Sequence, residues 1–126
     1  MLPYLLGNVL EWKTIYNIAK KYNLIVIEDA AQSMGAYYKR RHAGTFGKIS
    51  AFSTHPLKNL NSLGDGGFII TNEKKLYDKI KLYRNHGLKG RDNVEIIGVN
   101  SRLDSLHAEI LSFRLKRLKS FSKYLL

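Results

Sequence analysis

Two short apolar runs, Ile49–Ser53 and Phe68–Thr71, flank a loop that holds Pro56, Lys58 and glycines at positions 64, 66 and 67. Runs of this length, rich in Ile and Phe and bounded by turn residues, predict two strands with Lys58 in the connection between them. Upstream, Leu24–Glu28 is a continuous apolar run into acids, a pattern that suits a strand buried on both faces of a parallel sheet. Before it, Trp12, Ile15 and Ala19 recur at helical spacing with Lys13, Lys20 and Lys21 between and beyond them. That spacing predicts an amphipathic helix over residues 9–22, packed on a sheet, with Trp12 in the core. Asn8 followed three residues later by Glu11 is a start signal of capping-box type, and Asn23 breaks the helix. A helix feeding such a strand is the crossover of an α/β unit. The opening run Leu2–Leu6 contains Pro3, which confines it to a strand end or an edge strand.

Further along, Leu76, Ile80 and Tyr83 predict a second helix with Asn72 as its cap and its end near Gly87. Leu103, Leu106, Ile110, Phe113 and Leu118 predict a third amphipathic helix running to about Leu118. Residues 88–99 carry little pattern and read as a loop. Residues 35–47, rich in glycine and polar groups, read as a connection with a small hairpin about Lys39–His42.

Composition narrows the function classes. The chain has 126 residues, 44% hydrophobic and 25% charged, which is one domain's worth at most and globular rather than disordered. It has no cysteine, so neither a disulfide framework nor a Cys-based zinc site is expected. Four histidines without paired spacing give no metal site, and His42 reads as a surface residue. No apolar run reaches membrane-spanning length and the N-terminus lacks signal-peptide features, so a cytoplasmic location is the expectation. A net charge of +11 raises a nucleic-acid module as the rival class. The basic residues are scattered, however, and only Lys39, Arg40 and Arg41 form a tight run, with no finger or RNP-like signature beside it. Specific nucleic-acid binding is therefore not expected, only non-specific adhesion through counterion release.

Two residues carry candidate chemistry. A lysine becomes a useful nucleophile only when its ammonium is desolvated or coupled to another charge, and the glycine-flanked loop makes Lys58 a candidate. Asp29 falls at the carboxyl end of a predicted strand, where open α/β sheets place ligands. Its alternative role is a cap for a helix over Ala30–Met34.

Ser53, His55-Pro56, Lys58-Asn59-Leu60 and Gly64-Asp65-Gly66-Gly67 resemble the cofactor-lysine segment of the DegT/StrS-type sugar aminotransferases, a pyridoxal-phosphate family of fold type I. Glu28-Asp29-Ala30-Ala31-Gln32 is similar to the family's E-D-A-A-Q segment, Arg84–Gly87 to its R-x-H-G, and Gly98–Arg102 to its G-x-N-x-R. The resemblance covers about Gly7 to Leu118. It implies a three-layer α/β/α piece of a fold type I large domain with a mostly parallel, mixed sheet. By the same resemblance Lys58 holds the cofactor as a Schiff base and later moves a proton, and Asp29 pairs with the protonated pyridine nitrogen. Ser53 donates to the cofactor phosphate. Gln32 lies near the ring, though it equally suits a helix start. Asn100 reaches a neighbour's phosphate across a homodimer, though alone it reads as a turn residue. Pro56 stiffens the approach to Lys58, and Gly64, Gly66 and Gly67 supply sharp turns. His55 is divided between the site and a structural loop role.

The implied reaction is transfer of an amino group, from glutamate as donor, to a keto group on a nucleotide-linked sugar. Lysine rather than histidine at position 58 favours amino transfer over the dehydration that some relatives perform. The family's N-terminal phosphate-binding turn, stacking aromatic and C-terminal small domain have no counterpart in these residues. The expectation is accordingly that 1–126 is part of a larger PLP-binding domain, the alternatives being an inactive remnant of the family or a basic nucleic-acid binder.

Overall fold

A computed structural model describes residues 1–4 and 10–122, so the Asn8 half of the expected capping box lies outside the described residues. The chain runs β1 (Leu2–Pro3), α1 (Trp12–Lys21), β2 (Ile27–Asp29), β3 (Tyr37–Tyr38), β4 (Arg41–His42), β5 (Ile49–Ser53), β6 (Gly67–Ile70), α2 (Lys74–Tyr83), β7 (Leu88–Lys89), β8 (Asn93–Val94) and α3 (Ser105–Ser122). The main sheet has the order β1-β2-β5-β6. Its first three strands are parallel, and β6 returns antiparallel to β5. Pro3 lies on the edge strand, where its missing N–H leaves no ladder position unfilled.

The pairing register divides the residues of the sheet between two faces. Glu28, Ser50 and Ile70 lie in one row and Phe52 and Phe68 in the next, all on the face covered by Trp12 of α1 and by Tyr4, Ala30 and Ala43. Phe52 stacks on Phe68 with centroids 4.8 Å apart, and Trp12 on Phe46 at 4.6 Å, so paired aromatic rings fill most of this core. The opposite face carries Ile27, Asp29, Ala51, Ser53 and Ile69. Here the structure corrects the sequence: β2 begins only at Ile27, and Leu24, Ile25 and Ile27 are 57%, 67% and 42% exposed. Alternate residues of a strand project to opposite faces, and among the described residues only one face is covered.

The fully buried residue of β2 is instead Glu28. Its carboxylate accepts from Tyr4 Oη at 2.5 Å, from Gly44 N at 2.7 Å and from Gly47 N. Burial first, then the hydrogen bond to Glu28 and its charge, push the Tyr4 phenol well above its ordinary range, keeping it a donor.

Several local expectations are also revised. Helix α1 starts at Trp12, with Glu11 at the N-cap position making no side-chain cap. It ends as expected at Asn23, whose φ of 50° is left-handed, with Leu24 N returning to Ala19 O at 2.8 Å. The Ala30–Met34 helix does not form; Ser33 N bonds Ala30 O and Ala36 N bonds Ser33 O in successive turns. The expected β3–β4 hairpin is present, turning through Lys39 and Arg40 at φ 46° and 67°. His42 is half-buried rather than superficial, accepting from Gly35 N at 2.9 Å.

The N-cap of α2 is Glu73, not Asn72, and Thr71 Oγ1 accepts the Glu73 N–H at 3.1 Å. Beyond its end, His86 and Gly87 are both left-handed, at φ 58° and 73°. At Gly87 a side chain would fall on the Ile96 carbonyl. Residues 88–99, expected as a loop, hold the β7–β8 hairpin, and Lys89 Nζ meets Glu95 Oε1 at 2.8 Å across it. The stripe expected for α3 holds at Leu103, Ile110 and Leu118, which are half-buried, but Leu106 and Phe113 are 67% and 53% exposed, and His107, Leu111 and Arg114 turn inward in their place. Within the polar and glycine-bearing 54–66 segment, His107 lies beside Gly64 and Arg114 bonds Asn61, contacts that large apolar groups could not make.

Replacing Glu28 with Ala would leave the buried Tyr4 and Gly44 donors and the half-buried Gly47 donor without their acceptor. Glu28→Ala is expected to lower unfolding free energy by about 3–5 kcal/mol in urea titrations, with Glu28→Gln losing less because it keeps one acceptor oxygen.

Candidate functional site

Strands β2 and β5 are adjacent and parallel, so Asp29 and Ser53 are placed at their carboxyl ends on the open face. Asp29 pairs in register with Ala51, the small residue that precedes Ser53 by two on the same face. The Ala30 N–H bonds Ala51 O at 2.8 Å and continues the pairing past Asp29. Asp29 is half-buried, and its Oδ1 accepts from Ala31 N at 3.2 Å, fixing the carboxylate over the turn that replaces the expected helix.

The segment after β5 folds back on itself. Thr54 N donates to Gly66 O and Ser62 N to Thr54 O, both at 2.8 Å, closing the loop at its base. Leu60 is 4% exposed and anchors the loop from within. Lys58 N donates to His55 O at 2.9 Å, making a turn that presents the Lys58 side chain. The His55 ring is part of that turn: Nδ1 accepts from Leu57 N at 3.1 Å, which puts the proton of the neutral ring on Nε2, 3.8 Å from Asp65 Oδ1. His55 thus has a structural loop role while also facing the site. The Asp65 side chain is 93% exposed, so solvent weakens that pairing. Ser53 Oγ accepts from His55 N at 3.3 Å, a contact that leaves the hydroxyl proton to donate elsewhere.

Ser53, His55, Leu57, Lys58, Asp65 and Gly66 line an open concavity of about 540 Å³. Lys58 is half-buried there. The structure therefore brings Lys58 and Ser53 together, with Asp29 on the neighbouring strand end. Gln32 is exposed in the turn beyond Asp29. Asn100 is exposed, is bridged to Asn85, and accepts from Arg102 Nε at 3.2 Å; it is not among the residues lining the concavity. The glycines act otherwise than expected. None of Gly64, Gly66 and Gly67 is left-handed. They are needed for close approach: a Cβ on Gly66 would lie 2.8 Å from Thr54 Oγ1, and one on Gly67 would overlap the Phe52 carbonyl oxygen.

Sequence reasoning gave no role to Glu28, Asn59, Asn61 or Arg114. Asn59 Nδ2 donates to Met34 O at 3.2 Å, linking the Lys58 loop to the turn after Asp29. A Lys-Asn-x-Asn spacing was the available signal for the two asparagines, whereas a single Arg on a helix carried none.

Chemically, the groups here are the amine of a half-buried lysine, a hydroxyl free to donate a hydrogen bond, and a carboxylate one strand away. That donor set suits a ligand with an aldehyde, a phosphate and a protonatable aromatic nitrogen. Among the described residues no cluster of His, Cys, Asp and Glu could hold a metal ion, and no helix is long and apolar enough to cross a membrane.

A sequence profile of the DegT/DnrJ/EryC1/StrS aminotransferase family matches residues 1–124. The chain is similar to dTDP-3-amino-3,6-dideoxy-alpha-D-galactopyranose transaminase of Aneurinibacillus thermoaerophilus, 46% identical over 118 residues that make up 94% of this chain and 32% of that protein. Among solved structures, a DegT DnrJ EryC1 StrS aminotransferase from Brucella abortus matches with a TM-score of 0.88 and 35% identity, over 94% of this chain and 32% of its own. NtdA from Bacillus subtilis with bound cofactor PMP matches with a TM-score of 0.81 and 33% identity, over 92% of this chain and 26% of its own. The chain thus spans about a third of the length of the relatives it matches.

The two neighbouring glycines separate by what a methyl group would strike. Gly67→Ala meets backbone and is expected to cost about 1–3 kcal/mol by opening the β5–β6 pairing, whereas Gly66→Ala meets movable side-chain atoms and costs less. Urea midpoints of the two variants read the order directly.

Proposed function

The chain belongs to the DegT/DnrJ/EryC1/StrS aminotransferase family, and from that premise we propose that it contributes to a site for pyridoxal-phosphate-dependent amino transfer from glutamate to a keto group on a nucleotide-linked sugar. The observation that carries the reading is the placement of half-buried Lys58 in one concavity with Ser53, beside the strand end that bears Asp29. The dTDP-sugar transaminase of Aneurinibacillus supports the substrate class, and the PMP-bound Bacillus structure supports the cofactor. Because the match covers about a third of those proteins, the activity is proposed for the assembled site to which these residues contribute. In the same way residues 1–126 are proposed as part of a larger PLP-binding domain that works as a homodimer.

When bound, pyridoxal phosphate supplies a ring that accepts the electron pair left as the donor's α-proton departs. Lys58 Nζ would hold the cofactor at its aldehyde carbon, and the same amine would serve as the general base that takes and returns that proton. Ser53 would donate a hydrogen bond from its hydroxyl to the phosphate. Asp29 would keep a proton on the ring nitrogen, a task that requires a carboxylate because an amide at this position would not stabilise the cation. Gln32 is assigned beside the ring 3′-oxygen. Asn100, outside the concavity of its own chain, is assigned to a neighbour's phosphate.

Reduction with borohydride after incubation with pyridoxal phosphate is expected to label the peptide containing Lys58, and Lys58→Ala is expected to remove that label. Adduct spread evenly over the surface lysines would overturn the assignment. Asp29→Asn, placed in the assembled enzyme, is expected to retain cofactor while turnover falls roughly a thousandfold or more, since the loss falls on the carbanionic step. Near-normal turnover would remove Asp29 from the site.

A further inference from the structure

One side chain of α3 reaches into the loop that carries Lys58. Arg114, half-buried on the inward face of the helix, donates from Nη1 to the Asn61 backbone oxygen at 2.8 Å and to Asn61 Oδ1 at 2.5 Å. Asn61 Nδ2 in turn donates to Pro56 O at 2.7 Å. Pro56 lies inside the turn closed by Lys58 N and His55 O at 2.9 Å, so the path from Arg114 ends two residues before Lys58. The amide of Asn61 has one workable orientation. Reversed, its NH₂ would face a guanidinium and its oxygen a carbonyl, and both contacts would turn repulsive.

Arg114 makes no ion pair among the described residues, so its donors serve the loop rather than a carboxylate. Charge-assisted bonds to neutral oxygens in a partly dry setting are the stronger kind, and they act here on a segment with few apolar anchors besides Leu60. The helix meanwhile leaves Leu106 and Phe113 in solvent and turns this cation inward.

We propose that Arg114 is a positioning residue for Lys58, clamping the 55–62 turn to α3 through Asn61 so that the lysine amine is held at the concavity. The proposal rests on the reading of Lys58 as the cofactor-holding amine, and its test separates the two.

Amide hydrogen exchange on the full chain reads the clamp directly, and borohydride trapping with pyridoxal phosphate reads its effect on Lys58. Arg114→Met, which keeps the stem and removes the donors, is expected to speed exchange at the Lys58 and Ser62 amides by about tenfold, the scale of one charge-assisted bond, while the β5 amides stay protected. The share of adduct at Lys58 should fall severalfold, and Arg114→Lys should restore both readouts. Asn61→Leu should reproduce the effect, and the double variant should add nothing to it. Unchanged exchange at Lys58 and Ser62 would overturn the clamp, as would acceleration spread equally through β5, or additive effects of the two substitutions. If the unaltered chain traps no adduct at Lys58, the cofactor reading fails, and the exchange rates still decide whether the clamp exists.

Discussion

A single buried carboxylate holds together segments that the sequence keeps far apart. Glu28 is fully enclosed, and a charge in that position is tolerable only where donors replace the water it has lost. Tyr4 reaches it from beyond β1, and Gly44 and Gly47 from the connection that leads into β5. Ser50 adds a second tie by donating to Gly44 O at 2.6 Å. Gly44 can serve there because its φ of 82° is left-handed and because a side chain would collide with the Phe52 ring. The consequence for the site is one of parity. With Glu28 locked toward the covered face, the next residue must face the other way, and that residue is Asp29.

The same parity explains why the open face of the sheet holds both the chemistry and the unexpected apolar exposure. Asp29, Ala51 and Ser53 occupy it at the carboxyl ends, and Ile27 and Ile69 lie behind them. Ala51 leaves room between the two polar side chains that a larger residue would fill. A covered upper face would bury Asp29 without a partner cation, which is costly for a carboxylate unless a ligand supplies the positive charge.

How much could be read in advance follows from which forces acted locally. The β5 and β6 strands, the core position of Trp12, the stop at Asn23 and the β3–β4 turn depend on short-range pattern and were legible. The 30–34 turns were not, because Ala30 is drawn into the core and the chain needs to reverse at Ser33 and Gly35 to pass back over it. The inward turn of His107 and Arg114 on α3 was hidden for another reason. Apolar spacing assumes an apolar partner, and the helix packs on a segment whose Asn61 offers oxygens and whose Gly64 leaves room for the His107 ring. Glu28 reads as part of a motif, but its burial depends on donors at positions 4, 44 and 47 that no local window contains.

A lysine on a loop would ordinarily be a poor place to build a site. Its side chain carries about 2 kcal/mol of rotamer entropy, and a mobile backbone would add to what must be frozen when a ligand is held. The loop around Lys58 offsets this by having its backbone fixed beforehand, closed at its base by Thr54, Ser62 and Gly66, turned by His55, anchored by Leu60 and tied outward through Asn59 and Asn61. Most of these bonds join backbone groups or short side chains, so ordering them cost little beyond folding the loop itself. What this fixed backbone presents is the half-buried Lys58 side chain. A backbone fixed in advance suits the role proposed for Lys58, which is to hold a ligand at one moment and carry a proton at the next.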